Sequence, residues 1–100
     1  MRTIAHWVDG KYYEGNPIGR FAVENPGTCE VEAELLQASD ADLDHAVEVA
    51  RRAQKEWAKV SLAKRTAIMF RMRQLVLDHQ DEMAKMIVAE HGKNYSDAIG

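Results

Sequence analysis

The stretch Val31-Glu32-Ala33-Glu34-Leu35-Leu36-Gln37-Ala38-Ser39-Asp40-Ala41-Asp42-Leu43-Asp44-His45-Ala46-Val47 decides the fold. In its first half Val31, Ala33 and Leu35 alternate with Glu30, Glu32, Glu34 and Leu36. This predicts a half-solvated antiparallel strand with one apolar and one mostly acidic face. Its second half repeats at about 3.6 residues. Between them stands Ser39 with Asp42 three residues on, a capping box in which the serine oxygen takes one orphan helix N–H and the aspartate reaches back to another. The change of period predicts strands over about 6–37 and helices over about 40–91.

Towards the amino terminus, His6-Trp7-Val8 and Lys11-Tyr12-Tyr13 flank Asp9-Gly10. Asp-Gly between β-formers predicts a hairpin, because both central positions of a type I′ turn need positive φ. Gly15, Asn16, Pro17 and Gly19 punctuate a loop, and Phe21-Ala22-Val23-Glu24 alternates again. Asn25-Pro26-Gly27-Thr28 predicts a type II turn, with proline at the second position and Gly27 at positive φ.

Towards the carboxyl terminus, the first helix carries Leu43, Ala46, Val47, Ala50, Ala53 and Trp57 on one stripe, interrupted by Gln54. Its acidic residues Asp40, Asp42 and Asp44 come first and its basic residues Arg51, Arg52, Lys55 and Lys59 last, as the helix dipole prefers. Ser61 is placed to cap a second helix. There Ile68, Met69, Met72, Leu75 and Val76 form one stripe while Ala67, Phe70 and Leu77 form another, so two apolar sides are expected to be covered. Asp78 and Asp81 predict a break near His79 and a third helix with Met83, Met86 and Ile87, closed by Gly92 in the left-handed region. Ser96 predicts a further helix start, truncated at 96–100.

The chain of 100 residues has a net charge of -3, 46% hydrophobic and 29% charged residues. It therefore fits one domain with a modest core and lacks the cationic field that holds a phosphate backbone or an acidic membrane. A typical two-domain enzyme that carries both a dinucleotide fold and a catalytic fold does not fit in this length. Cys29 is the single cysteine, so no intramolecular disulfide forms. Met1 to Trp7 lack the apolar core of a secretory signal, and no apolar run approaches a membrane span. A cytoplasmic protein without nucleic-acid or membrane partners is expected.

The residues that carry chemistry point to a scaffold. His6, His45, His79 and His91 include no i, i+4 pair, and Cys29 has no thiol partner, so no metal site is expected. Cys29 reads as a turn residue and Glu30, Glu32 and Glu34 as a solvated strand face. Met69, Met72, Met83 and Met86 read as helix core before a soft recognition surface. No glycine-rich phosphate motif occurs, and Gly92-Lys93 closes a helix. Catalytic, cofactor-binding and metal-ligating residues are all expected to be absent.

The hairpin Val8-Asp9-Gly10-Lys11, Asn25-Pro26 ahead of Glu30-Val31, the Ala38-Ser39 helix start, Ala46-Val47 through Ala53 to Trp57, and Glu90-His91-Gly92-Lys93 together resemble the amino-terminal segment of the aldehyde dehydrogenase superfamily. The resemblance covers nearly the whole chain. With Ser96-Asp97-Ala98 and Gly100, the ending looks most like the CoA-acylating methylmalonate-semialdehyde dehydrogenase branch. Two departures stand out. The family turn reads Asn-Pro-Ala-Thr-Gly-Glu where this chain has Asn25-Pro26-Gly27-Thr28-Cys29-Glu30, and Asn94 stands where threonine is common.

The resemblance implies an α+β fragment, antiparallel strands and hairpins followed by three helices, within the Rossmann-like NAD-binding domain. It implies a parent that attacks an aldehyde with a cysteine thiolate, passes hydride to NAD and releases the acyl group to CoA in valine and pyrimidine breakdown. The catalytic cysteine, the base, the oxyanion asparagine and the NAD segment belong to later parts of the family's sequence, so Cys29 is not the nucleophile. The fragment is expected to be inactive and to bind neither NAD nor CoA by itself. Its partner is the remaining part of the dehydrogenase chain, in a homo-oligomeric parent, a dimer or tetramer. A non-acylating aldehyde dehydrogenase and a free-standing interaction module stand as alternatives.

Overall fold

The structure, a computed structural model, describes residues 2–100, and Met1 lies outside them. The strands are β1 (Arg2–Ile4), β2 (His6–Val8), β3 (Lys11–Tyr13), β4 (Gly19–Glu24) and β5 (Val31–Gln37). The helices are α1 (Asp40–Trp57), α2 (Leu62–Asp78), α3 (Gln80–His91) and α4 (Tyr95–Ile99). Strands precede helices, as the change of period between Gln37 and Asp40 requires. Two compact units divide these elements. One holds the residues up to Glu24 with Val31–Lys59, and the other holds Asn25–Glu30 with Val60–Gly100.

In the first unit β5 is the middle of a three-stranded sheet, in the order β1-β5-β4. β4 pairs with it antiparallel, from Gly19 opposite Gln37 to Glu24 opposite Val31. β1 pairs with it parallel, with Arg2 opposite Ala33 and Ile4 opposite Leu35. β1 lies ahead of the expected strand region and makes the sheet mixed, since three residues are too few to show an alternation. The expected faces of β5 are also corrected. Ala33, with a neighbour strand on each side, is buried together with Leu36 from the acidic face, whereas Val31 and Leu35 remain exposed.

β2 and β3 form the expected hairpin, with Val8 opposite Lys11. Asp9 at φ 59° and Gly10 at φ 73° give the two positive values of a type I′ turn. Trp7 faces Tyr12 across it, ring centroids 5.1 Å apart and planes at 82°, an edge-to-face pair.

The Asn25 turn is not type II. Gly27 keeps a negative φ, and the left-handed residue is Cys29 at φ 60°. The Asn25 carbonyl accepts from Thr28 N at 3.3 Å and from Cys29 N at 2.7 Å. The Asn25 side chain accepts from Gly27 N at 2.8 Å, an Asx turn that draws the loop away from the type II path. Positive φ therefore falls on the position where the family pattern has glycine. A β-carbon there costs about 1–2 kcal/mol, partly offset in glycine by chain entropy. Cys29→Gly is thus expected to stabilise the chain by about 0.5–1 kcal/mol, read as a rise of a few degrees in the thermal midpoint. An unchanged or lower midpoint would contradict this reading of the turn.

α1 opens on the expected capping box. Ser39 Oγ accepts from Asp42 N at 3.2 Å, and Asp42 Oδ2 accepts from Ser39 N at 3.1 Å. In the second unit Ser61 Oγ accepts from Lys64 N at 3.2 Å and opens α2. The break falls on His79, at φ -105° and ψ 14°, which ends α2 and begins α3. Gly92 at φ 76° closes α3 and donates to Val88 O at 2.9 Å. α4 begins one residue before Ser96, with Asn94 as its N-cap.

The expected helix core is corrected. Leu43 on the α1 stripe is 60% exposed, and α2 contributes no buried residue at all. Met69 and Met72 are 59% and 58% exposed, and Met83 and Met86 are exposed as well. Among the described residues the buried apolar side chains are Ala33, Leu36 and Ala84. The stripes are present on the helices, but no described element covers them.

Candidate functional site

The residues with potential chemistry are dispersed. Cys29 is exposed at its turn. His6 lies on β2, His45 stacks near Tyr13 with ring centroids 5.0 Å apart, His79 sits at the helix break 3.4 Å from Glu82, and His91 ends α3. Among the described residues no three His, Cys, Asp or Glu side chains are grouped to hold a metal. On the acidic strand face Glu34 is paired with Arg20 at 2.7 Å, a surface ion pair.

Two polar clusters do form, one in each unit. In the first, Asp42 is 3% exposed and receives more than its cap. Asn16 N donates to both of its oxygens, at 3.0 and 3.2 Å, and the Tyr13 hydroxyl donates at 3.2 Å. The backbone donors of Asn16 and Ser39 hold this carboxyl below its ordinary value, while burial and the Asp42 carboxylate push the Tyr13 phenol up. The capping spacing signalled the Ser39 contact. The reach to Tyr13 and Asn16 had no local signal except the glycine beside it, Gly15.

In the second unit the Tyr95 hydroxyl donates to Asp81 at 2.5 Å, and Lys85 pairs with Asp81 at 3.0 Å. Tyr95 and then Lys85 lower the Asp81 carboxyl, and Asp81 raises both of its partners. The tie joins α4 to α3, and Gln80 Nε2 adds a bond to Ile99 O at 3.4 Å. Both clusters keep acids ionised and phenols protonated at neutral pH. Their hydrogen bonds brace the backbone.

Two of the concave surfaces are mostly apolar. In the second unit Val76, Met83, Ala84, Ile87 and Ile99 line a cavity of about 380 Å³ together with the polar Gln80, Lys93 and Asp97. In the first, Trp7, Val8 and the small residues Ala46, Ala50 and Ala53 line another of about 380 Å³, with Asp9 as its acidic residue.

The model of the aldehyde dehydrogenase family matches residues 12–100. The chain belongs to the aldehyde dehydrogenase family. Over all 100 of its residues this aldehyde dehydrogenase segment is 37% identical to malonate-semialdehyde dehydrogenase 2 of Oceanobacillus iheyensis, covering 21% of that protein. It superposes with a TM-score of 0.96 and 39% identity on a protein of Sinorhizobium meliloti 1021 assigned as a methylmalonate-semialdehyde dehydrogenase and solved with NAD. That match takes in 100% of this chain and 20% of the other. An NAD-dependent benzaldehyde dehydrogenase of Corynebacterium glutamicum matches with a TM-score of 0.90 and 38% identity, over 95% of this chain and 21% of that one. The segment spans about one-fifth of the length of the curated relatives it matches. Strands followed by helices, the α+β order read from the sequence, are thus the order of an aldehyde dehydrogenase segment.

Proposed function

We propose that the chain is the amino-terminal segment of an NAD-dependent malonate- or methylmalonate-semialdehyde dehydrogenase that releases its product to CoA, acting in the cytoplasm in valine and pyrimidine breakdown. In this reading the segment is framework. It supplies the outer strands and helices of the NAD-binding domain, while the thiolate, the base and the cofactor site lie in the remaining four-fifths, in a parent that assembles as a dimer or tetramer. The observation that carries the reading is the end-to-end match, at 37% identity, to a malonate-semialdehyde dehydrogenase. Cys29, the single cysteine of the segment, stands exposed on a turn and is not the nucleophile in this reading.

A second reading, a parent that oxidises a different aldehyde without CoA, draws on the 38% identity to the benzaldehyde dehydrogenase. The framework role is the same in both. CoA dependence of turnover in the complete protein separates them.

The isolated chain, given NAD, CoA and methylmalonate semialdehyde, is expected to form no NADH. A chimera in which it replaces the matching fifth of the Sinorhizobium meliloti protein is expected to form NADH. NADH from the isolated chain, or none from a soluble chimera, would overturn the proposal.

A further inference from the structure

We infer that Asp9-Gly10, the turn of the β2–β3 hairpin, is a site of self-modification at which the aspartate isomerises through a cyclic imide to isoaspartate. The chemistry needs a short carboxyl side chain followed by an amide nitrogen that no β-carbon shields. Of the seven aspartates in the chain, Asp9 alone precedes a glycine. The other six lie within helices, where the backbone is held in regular geometry. Both turn residues are exposed, and a β-carbon at Gly10 would meet nothing within 4 Å, so the ring has room to form.

Ring closure swings the Asp9–Gly10 peptide out of the type I′ geometry and therefore needs the turn to open. β2 and β3 are three residues each and form a sheet of two strands. The Asp42 carboxylate holds this hairpin at its Tyr13 end, and the turn is at the other end. Two-stranded hairpins are marginal in water, and opening relieves the left-handed Asp9 backbone at φ 59°. The turn therefore opens at the low end of the range of local unfolding.

The Gly10 nitrogen bonds to Asp9 Cγ and one Cγ–O bond breaks. The oxygen leaves as water, with the amide proton and one proton from solvent. Water then adds back to the imide. Cleavage between Gly10 N and Cγ restores aspartate, whereas cleavage between Gly10 N and the Asp9 main-chain carbonyl carbon leaves isoaspartate, with the chain running through Cγ. No oxidant or further co-reactant enters. Isoaspartate lengthens the turn by one backbone atom, so the two-residue loop no longer sets Val8 opposite Lys11.

Water enriched in heavy oxygen reads the reaction, because each passage through the imide leaves one solvent oxygen at this position. A soluble chimera that melts cooperatively is incubated in it at neutral pH, native or unfolded in urea, and the tryptic peptide Thr3–Lys11 is followed by chromatography and mass spectrometry. The native protein is expected to take up label, and to form the isoaspartyl isomer, within about tenfold of the unfolded rate. Asp9→Glu, which opens the turn as readily but needs a larger ring, is expected to lose the label. A native rate below about one-tenth of the unfolded rate would overturn the inference, since the turn would then stay shut. Label retained in Asp9→Glu, or taken up equally at the helical aspartates, would overturn it by showing exchange without an imide. None of these readings involves NADH formation, so they stand apart from the proposed function.

Discussion

Replacing Asp42 by alanine is expected to lower the thermal midpoint of the chain by about 10 °C or more, because one carboxylate holds three segments together. The strand residue Tyr13, the loop residue Asn16 and the N-cap Ser39 all donate to it. Alanine leaves those donors without an acceptor at a site nearly closed to water, and it also removes the reciprocal half of the capping box. The contribution depends on pH in a definite direction. The folded carboxyl lies below its ordinary value of 3.8, so the stability it adds is fully present above about pH 4 and is lost as pH falls through the folded value. Asp42→Asn is expected to flatten that acid dependence. The acid sensitivity that remains comes from exposed groups such as Asp81, whose carboxyl is lowered in the same sense by Tyr95 and Lys85. Thermal unfolding followed by circular dichroism between pH 2 and 7 measures both effects. An Asp42→Ala midpoint within about 2 °C of the parent would contradict the three-way clamp.

Gly15→Val is expected to cost about 3 kcal/mol or more by the same melts. Gly15 stands at φ 61°, where a β-branched side chain is strained by about 1–2 kcal/mol before any contact is considered. A β-carbon built there also lies against the Asp42 carboxyl, 2.5 Å from Cγ and 2.8 Å from Oδ2, so the clamp itself must be displaced. Gly10 separates the two causes. It has a similar φ of 73° with open space around it, so Gly10→Ala loses only the backbone part, about 1 kcal/mol. Equal costs at the two glycines would mean that the close approach to Asp42 is not what requires Gly15.

Where a signal was local, the sequence carried it. The Asp9-Gly10 hairpin, the Ser39 box, the break at His79 and the Gly92 cap each depend on residues within one turn of one another, and each formed where its residues stand. Three other features depend on distant partners. β1 is held by pairing with β5 some thirty residues away, and nothing in Arg2-Thr3-Ile4 announces it. The Asn25 loop followed its asparagine side chain and left Gly27 unused as the positive-φ residue. The apolar stripes were legible as stripes, but whether they are covered depends on what lies against them, and the described elements do not cover them. What the sequence carried of function was the family: the words at the joints of the elements identified the aldehyde dehydrogenase family whose model matches residues 12–100.

In the proposed function this chain is interchangeable framework for a semialdehyde dehydrogenase, with the chemistry in the remaining four-fifths. NADH formation by the chimera, measured against the unaltered Sinorhizobium meliloti protein with methylmalonate semialdehyde, NAD and CoA, tests that claim most directly. The account predicts a soluble chimera whose kcat lies within about tenfold of the unaltered protein, because remote framework replaced by framework of the same shape leaves the reacting groups in place. A folded, soluble chimera that forms no NADH would contradict it.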